Sequence, residues 1–225
     1  MTLTEQLAEM LANSKDSEEG KALRLRAIAE VAASGQAPGL AVGEQIPSFS
    51  LPDPFGHTVS SDELLERGPL VVSFYRGDWC PYCNLELRAL EEASPTIAKL
   101  GGSIVAISGQ RPDAAAGLTD RHALSFPVLS DVDQVAIRAF KLRYDIPAEL
   151  RTMFEARGSD MSQRNADGSW TLPISATYVT DRTGTIVLGH CDPEWRVRLD
   201  PEEIIGVLEG LKSSPAEVNR VAVRP

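Results

Sequence analysis

The 225-residue chain has a formal net charge of −10 and is 43% hydrophobic. That is enough apolar content for one sizeable core. The acidic balance argues against nucleic acid and anionic membranes as partners. No run approaches the roughly 20 apolar residues of a membrane span, and the opening segment lacks the basic and apolar regions of a secretory signal. With only three cysteines, two of them in one CxxC, the expectation is a cytoplasmic protein whose cysteines do redox or metal chemistry rather than build a disulfide framework.

In chain order, residues 1–35 read as two helices. Leu3, Leu7, Met10 and Leu11 give the first an apolar stripe; Leu23, Leu25, Ile28 and Val31 give the second a less regular one. They carry no obvious chemistry and are expected to cap the core or to mediate self-association. Ala37-Pro38-Gly39 is a linker. A short hairpin turning at Phe55-Gly56 follows, then a helix over 62–67. A buried strand starts at Leu70, and a helix follows the cysteine pair, with a bend expected at Pro95. Strand 103–108, helix 113–122, strand 126–129, and helices 133–141 and 147–157 come next, with a turn at 165–168. A hairpin of 175–180 and 185–191, a helix over 201–211 and a loose tail close the chain. The order predicts an α/β fold: a central mixed sheet with helices on both faces. The domain boundaries expected are an N-terminal helical extension (1–42), the main domain (43–212) and a tail (213–225).

The chain is organised around VVSFYRGDWCPYCNLELRAL, residues 71–90. Val71, Val72, Phe74 and Tyr75 form a buried parallel strand. Arg76-Gly77-Asp78 breaks it. Pro81 suits the first turn of a helix, where its missing N–H costs nothing. Cys80 and Cys83 therefore sit where a strand gives way to a helix N-terminus, whose free N–H groups and dipole favour a thiolate. A free cysteine has a pKa of about 8.5, falling to about 3.5–7.5 in such a position. Three residues apart, the two sulfurs face one another across a turn and can close a redox-active disulfide. If one thiolate attacks a peroxide, the other traps the sulfenic acid; if one attacks a disulfide, the other resolves the mixed disulfide.

Several blocks taken together resemble the peroxiredoxin (AhpC/TSA) branch of the thioredoxin fold over roughly residues 43–212. Gly43-Glu44-x-x-Pro47-x-Phe49-x-Leu51 is similar to that family's opening hairpin. Phe74-Tyr75 matches its active-site strand, Phe126-Pro127-Val128-Leu129-Ser130-Asp131 its FPLLSD block, and Thr177-Tyr178-Val179-Thr180-Asp181-x-x-Gly184 its closing hairpin. On the family's PxxxTxxC, the last Cys falls on Cys83, the Thr on Cys80 and the Pro on Arg76; the family's Arg before the closing hairpin falls on Ser175. Seen as a thioredoxin, Trp79-Cys80-Pro81-Tyr82-Cys83 resembles WCxxC, while the cis-proline position just before Thr177 holds Ser175-Ala176. The peroxiredoxin alignment makes Cys83 the attacking residue, and the thioredoxin alignment makes it Cys80.

The resemblance implies a thiol peroxidase reducing hydrogen peroxide or small organic hydroperoxides through Cys80 and Cys83. Electrons would come from an external thiol, either a thioredoxin-like protein or a low-molecular-weight thiol. A thiol–disulfide oxidoreductase and a non-catalytic redox sensor are the alternatives. It implies no cofactor, no metal, and a homodimer. Arg76 is a candidate catalytic residue; Trp79, Tyr82 and Ser175 are candidates for substrate binding. A zinc site completed by His190 and Cys191 is disfavoured, because adjacent strand residues point to opposite faces. Arg88 is expected on the outer helix face, Trp170 near the site, Cys191 as a small apolar residue, and His57 and His122 on the surface. Arg196 and Arg198, beside Asp192 and Glu194, are expected to form a solvated charged face.

Overall fold

The computed structural model describes residues 1–213, and the tail expected beyond them lies outside the described residues. Helix α1 (Leu3–Ala12) is opened by a Thr2–Glu5 capping box, and Ser17 caps α2 (Glu18–Ser34), which ends at a left-handed Gly35. Strands β1 (Ser50–Pro52) and β2 (Thr58–Ser60) form the expected hairpin, followed by α3 (Ser61–Arg67) and β3 (Leu70–Phe74). Helix α4 (Pro81–Lys99) runs past Pro95. Then come β4 (Ser103–Ser108), α5 (Pro112–His122), β5 (Val128–Ser130) and α6 (Val135–Ala139). Helix α6 is shorter than its apolar pattern suggested, because the buried Asp131 carboxylate accepts the N–H groups of Val135 and Ile137 at 2.9 and 2.8 Å and fixes its start there. Beyond it lie β6 (Arg143–Asp145), α7 (Ala148–Ala156), α8 (Met161–Arg164), β7 (Thr171–Pro173), β8 (Ala176–Thr180), β9 (Ile186–Cys191) and α9 (Pro201–Ser213).

The main sheet has the order β5-β4-β3-β8-β9. Strands β3, β4 and β5 are parallel; β8 and β9 are antiparallel additions on the other side of β3. Side chains alternate between two cores. Val72, Phe74, Val105, Ile107 and Tyr178 point to one face, covered by the hairpin, α2, α6 and α7. Val71, Tyr75, Ala106, Val128 and Val179 point to the other, covered by α4, α5 and α9. The two short strands β6 and β7 pair antiparallel in a sheet of their own, which the sequence pattern does not reveal. Three-residue strands leave too little alternation to read.

The N-terminal helices belong to this packing. Leu3, Leu7, Ala27 and Val31 are buried, whereas Leu11 and Leu25 of the expected stripes are exposed. Arg24 is buried instead and pairs with Asp16, and Arg26 reaches Glu149 of α7 at 3.0 Å.

Candidate active site

The strand-to-helix junction is pinned from both sides. Tyr75 N–H donates to Ile107 O at 3.0 Å, so the ladder continues one residue beyond β3. Gln110 then ties the loop down: its Oε1 accepts from Asp78 N–H at 2.8 Å and its Nε2 donates to the Tyr75 hydroxyl at 2.6 Å. Gly77 has a φ of 150°, and a side chain there would run into the Trp79 ring, so only glycine lets Trp79 fold back over the loop. Cys80 is the N-cap of α4 and Pro81 its first residue. Asn84 donates through Nδ2 to the carbonyls of Asp78 and Cys80 at 2.8 and 2.9 Å. That leaves its Oδ1 to His122 Nε2 at 2.7 Å, so His122 serves to anchor the loop.

Both cysteines are free thiols and each is only 1% exposed. Their environments differ. Cys83 Sγ accepts from Arg76 N–H and from a terminal nitrogen of Arg198, each at 3.5 Å. The same Arg198 donates Nε to Glu86 Oε2 at 2.7 Å, and Glu86 Oε1 accepts from Thr177 Oγ1 at 3.0 Å. Cys83, Glu86, Thr177 and Arg198 thus form one buried chain of polar contacts between α4, β8 and the segment before α9. Burial pushes the Glu86 carboxyl up and Arg198 opposes it; the Arg198 guanidinium is raised, because the charges around it outweigh its own burial.

The two thiols are pulled apart electrically. The Cys83 S–H donating to Cys80, with help from Arg76 and Arg198, brings Cys80 down to about 6. Burial, and the charge that Cys80 then carries, drive Cys83 well upward. These opposed directions favour the thiolate on Cys80 and the proton on Cys83.

Cys80 opens onto a recess of about 400 Å³ whose walls include Trp79, Tyr82 and Trp195, with Cys83 not among them. Arg76 sits in its wall, 3% exposed, its guanidinium 5.0 Å from the Trp79 ring centroid and 4.5 Å from that of Trp195. Residues of α1, α2 and α7 complete the walls, so the N-terminal extension helps to build the site.

Five of the residues expected at the site, Cys80, Cys83, Arg76, Trp79 and Tyr82, therefore come together. Ser175 is buried in the link between β7 and β8, its hydroxyl unpaired, and does not line the recess. Trp170 stacks under Arg151 at 4.4 Å, also away from the recess. The expected charged face needs correction. Arg196 is half-buried and pairs with Glu194 at 2.6 Å, but Arg198 turns inward, 5% exposed, onto Glu86 and Cys83. Sequence reasoning also missed Glu86 and Trp195. Glu86 had a signal, since it lies three residues after Cys83 on the apolar side of its helix; Arg198 and Trp195 had none.

A family model described as AhpC/TSA family matches residues 42–188. The chain is 29% identical over 146 residues to a chloroplastic peroxiredoxin Q of Populus jackii, covering 65% of this chain and 58% of that protein. It therefore spans less than two thirds of that relative's length. A putative peroxiredoxin of Mycobacterium tuberculosis is 29% identical over 152 residues, 67% of this chain and 85% of its own. The solved structure of peroxidoxin BcpB from Mycobacterium tuberculosis superposes with a TM-score of 0.60 at 19% identity, covering 76% of this chain and 98% of that one. That of a Xanthomonas campestris bacterioferritin comigratory protein gives 0.55 at 17% identity, covering 73% and 92%. At these identities the structures speak for the fold.

Proposed function

The chain belongs to the AhpC/TSA family, and from that premise we propose that it is a thiol peroxidase in which Cys80 attacks the hydroperoxide and Cys83 resolves. The observation that carries this reading is the placement of the sulfurs: Cys80 faces the recess and Cys83 lies behind it, and their surroundings pull the Cys80 thiol down and push that of Cys83 up. The Cys80 thiolate attacks the terminal peroxide oxygen and the O–O bond breaks, giving a sulfenic acid on Cys80 and an alkoxide or hydroxide that leaves and takes up a proton. The Cys83 sulfur then attacks the sulfenic sulfur, a disulfide forms and water leaves. Arg198 and Arg76 N–H lie on Cys83 Sγ and stabilise the charge that builds there during resolution. Two electrons from external thiols restore the dithiol. The nearly complete burial of both sulfurs supports a small substrate over a protein disulfide.

The test is the second-order rate of hydrogen peroxide with the reduced protein and with Cys80→Ser and Cys83→Ser. Cys80→Ser is expected to lose the reaction. Cys83→Ser is expected to keep one turnover and to accumulate a sulfenic acid that a dimedone-type reagent traps. The opposite pattern would give the attack to Cys83, the position the family's own motif selects. A wild-type rate no better than that of an ordinary thiol would remove the peroxidase reading.

A further inference from the structure

Among the described residues, four arginines line the recess over Cys80: Arg24, Arg76, Arg157 and Arg196. Three have carboxylate partners. Arg24 and Arg157 share Asp16, the one acidic residue among the described residues of these walls, and Arg196 holds Glu194. Arg76 has no carboxylate partner among the described residues, and its Nε and one terminal nitrogen are buried without a hydrogen-bond acceptor. In the reduced protein the Cys80 thiolate offsets its charge. Once Cys80 and Cys83 form a disulfide, both sulfurs are neutral and Arg76 is a buried cation with no counter-charge, which is costly. The oxidised protein therefore has reason to bind an anion there that the reduced protein does not.

We propose that the recess is the binding site for the electron donor, and that the donor is a low-molecular-weight thiol bearing a carboxylate close to its sulfur. The carboxylate lies on Arg76 and the sulfur meets Cys80. A recess of about 400 Å³ suits a small molecule. A protein thiol would need an exposed disulfide, whereas Cys80 lies inside the recess at 1% exposure, beneath walls that α1, α2 and α7 supply. The donor thiol ionises, losing its proton to water, and its thiolate attacks Cys80 Sγ; the Cys80–Cys83 bond breaks, and Cys83 leaves as a thiolate beside Arg198 and takes up a proton from water. In this mixed disulfide Cys80 carries no charge, so the repulsion that raised Cys83 is absent. A second donor thiolate attacks the donor sulfur of the mixed disulfide, releasing the donor disulfide and the Cys80 thiolate. Two thiols are oxidised and one protein disulfide is reduced. The regenerated thiolate repels the carboxylate product from Arg76.

The proposal rests on the dithiol chemistry above, but its test need not use peroxide. The full-length protein is oxidised with diamide, and its reduction by mercaptoacetate and by β-mercaptoethanol, two thiols of similar size, is followed by tryptophan fluorescence at matched thiolate concentration. Mercaptoacetate is expected to be faster by about tenfold or more, the scale of one charge-assisted hydrogen-bonded contact, and the ratio is expected to collapse toward unity in Arg76→Met. Acetate should slow the reduction of wild type by β-mercaptoethanol, which keeps the proposal testable if the variant does not fold. Equal rates for the two thiols, a preference that survives Arg76→Met, or faster reduction by a thioredoxin than by either small thiol would overturn it. A carboxylate preference in a protein that hydrogen peroxide fails to oxidise would remove the peroxidase reading and leave this site standing.

Discussion

Two arginines bracket the dithiol, and they are built in opposite ways. Arg198 is held on three sides: Glu86 at 2.7 Å, the Val197 carbonyl at 3.0 Å and Cys83 at 3.5 Å. Arg76 touches Cys83 only through its backbone N–H and presents its guanidinium to two indole faces and to the buried Tyr144 side chain. Aromatic faces attract a cation without satisfying its N–H donors. A paired buried charge fixes geometry, so Arg198 acts on where Cys83 sits. A buried charge left short of acceptors keeps its field for whatever enters, so Arg76 acts on the Cys80 thiolate and on ligands.

The sharpest way to break this comparison is stability. Arg198→Ala leaves Glu86 in the core with Thr177 as its remaining partner and no counter-charge, and is expected to cost about 3–5 kcal/mol in denaturant unfolding, the scale of breaking a buried ion pair from one side. In the oxidised protein, where Cys80 carries no charge, Arg76→Met removes a cation that has no carboxylate partner and fills the space with a flexible apolar chain, so a change within about 1 kcal/mol is expected, lost cation–π attraction being offset by the relief of desolvation. Comparable losses in the two variants would mean that Arg76 is as firmly partnered as Arg198.

A smaller effect separates the sulfurs by pH. The alkylation rate of Cys80 should rise with pH through a midpoint of about 6 and level off above it, because a lowered pKa moves the thiolate-forming step down from that of an ordinary thiol, about 8.5. The Cys83 S–H is the largest lowering influence, so Cys83→Ala should move the midpoint upward most, by about a unit or more. Arg76→Met should move it upward by less. Cys83→Ser, whose hydroxyl still donates, should leave it low. A midpoint unmoved by Cys83→Ala would put the thiolate under the control of the arginines.

Most of the frame was legible in the sequence because its elements announce themselves locally. Leu70–Phe74 is an unbroken apolar run, Pro81 marks a helix start, and Phe55-Gly56 marks a turn. The part of the site carried by α4 and its preceding loop was legible for the same reason: Arg76, Trp79, Cys80, Tyr82 and Cys83 are near neighbours in sequence. What came from far along the chain was not. Arg196 and Arg198 are two residues apart in one charged segment, and only the fold sends one to solvent-side Glu194 and the other 112 residues back to Glu86. The recess likewise takes walls from α1, α2 and α7, whose sequences show only amphipathic helices. Burial of Arg24 rather than Leu25 is the clearest instance: the helix turns a cation inward because Asp16 is there to receive it.

The smallest effect tests the rule at a contact that water can replace. His122 donates Nε2–H to Asn84 Oδ1, a tautomer assigned because the Asn84 amide nitrogen already serves the Asp78 and Cys80 carbonyls. Burial and the cations Arg121 and Arg88 lower the His122 pKa, so the ring is neutral at pH 7 and adds no charge to the dithiol. Both partners are only part-buried, so water can take the place of the imidazole on Asn84. His122→Ala should therefore cost about 0.5–1 kcal/mol, the net worth of an ordinary hydrogen bond, and should leave the alkylation midpoint of Cys80 where it is. A midpoint shifted as far as in Arg76→Met would mean that the Asn84–His122 contact holds the Cys80 loop itself, and that geometry, more than the guanidinium, sets the thiolate.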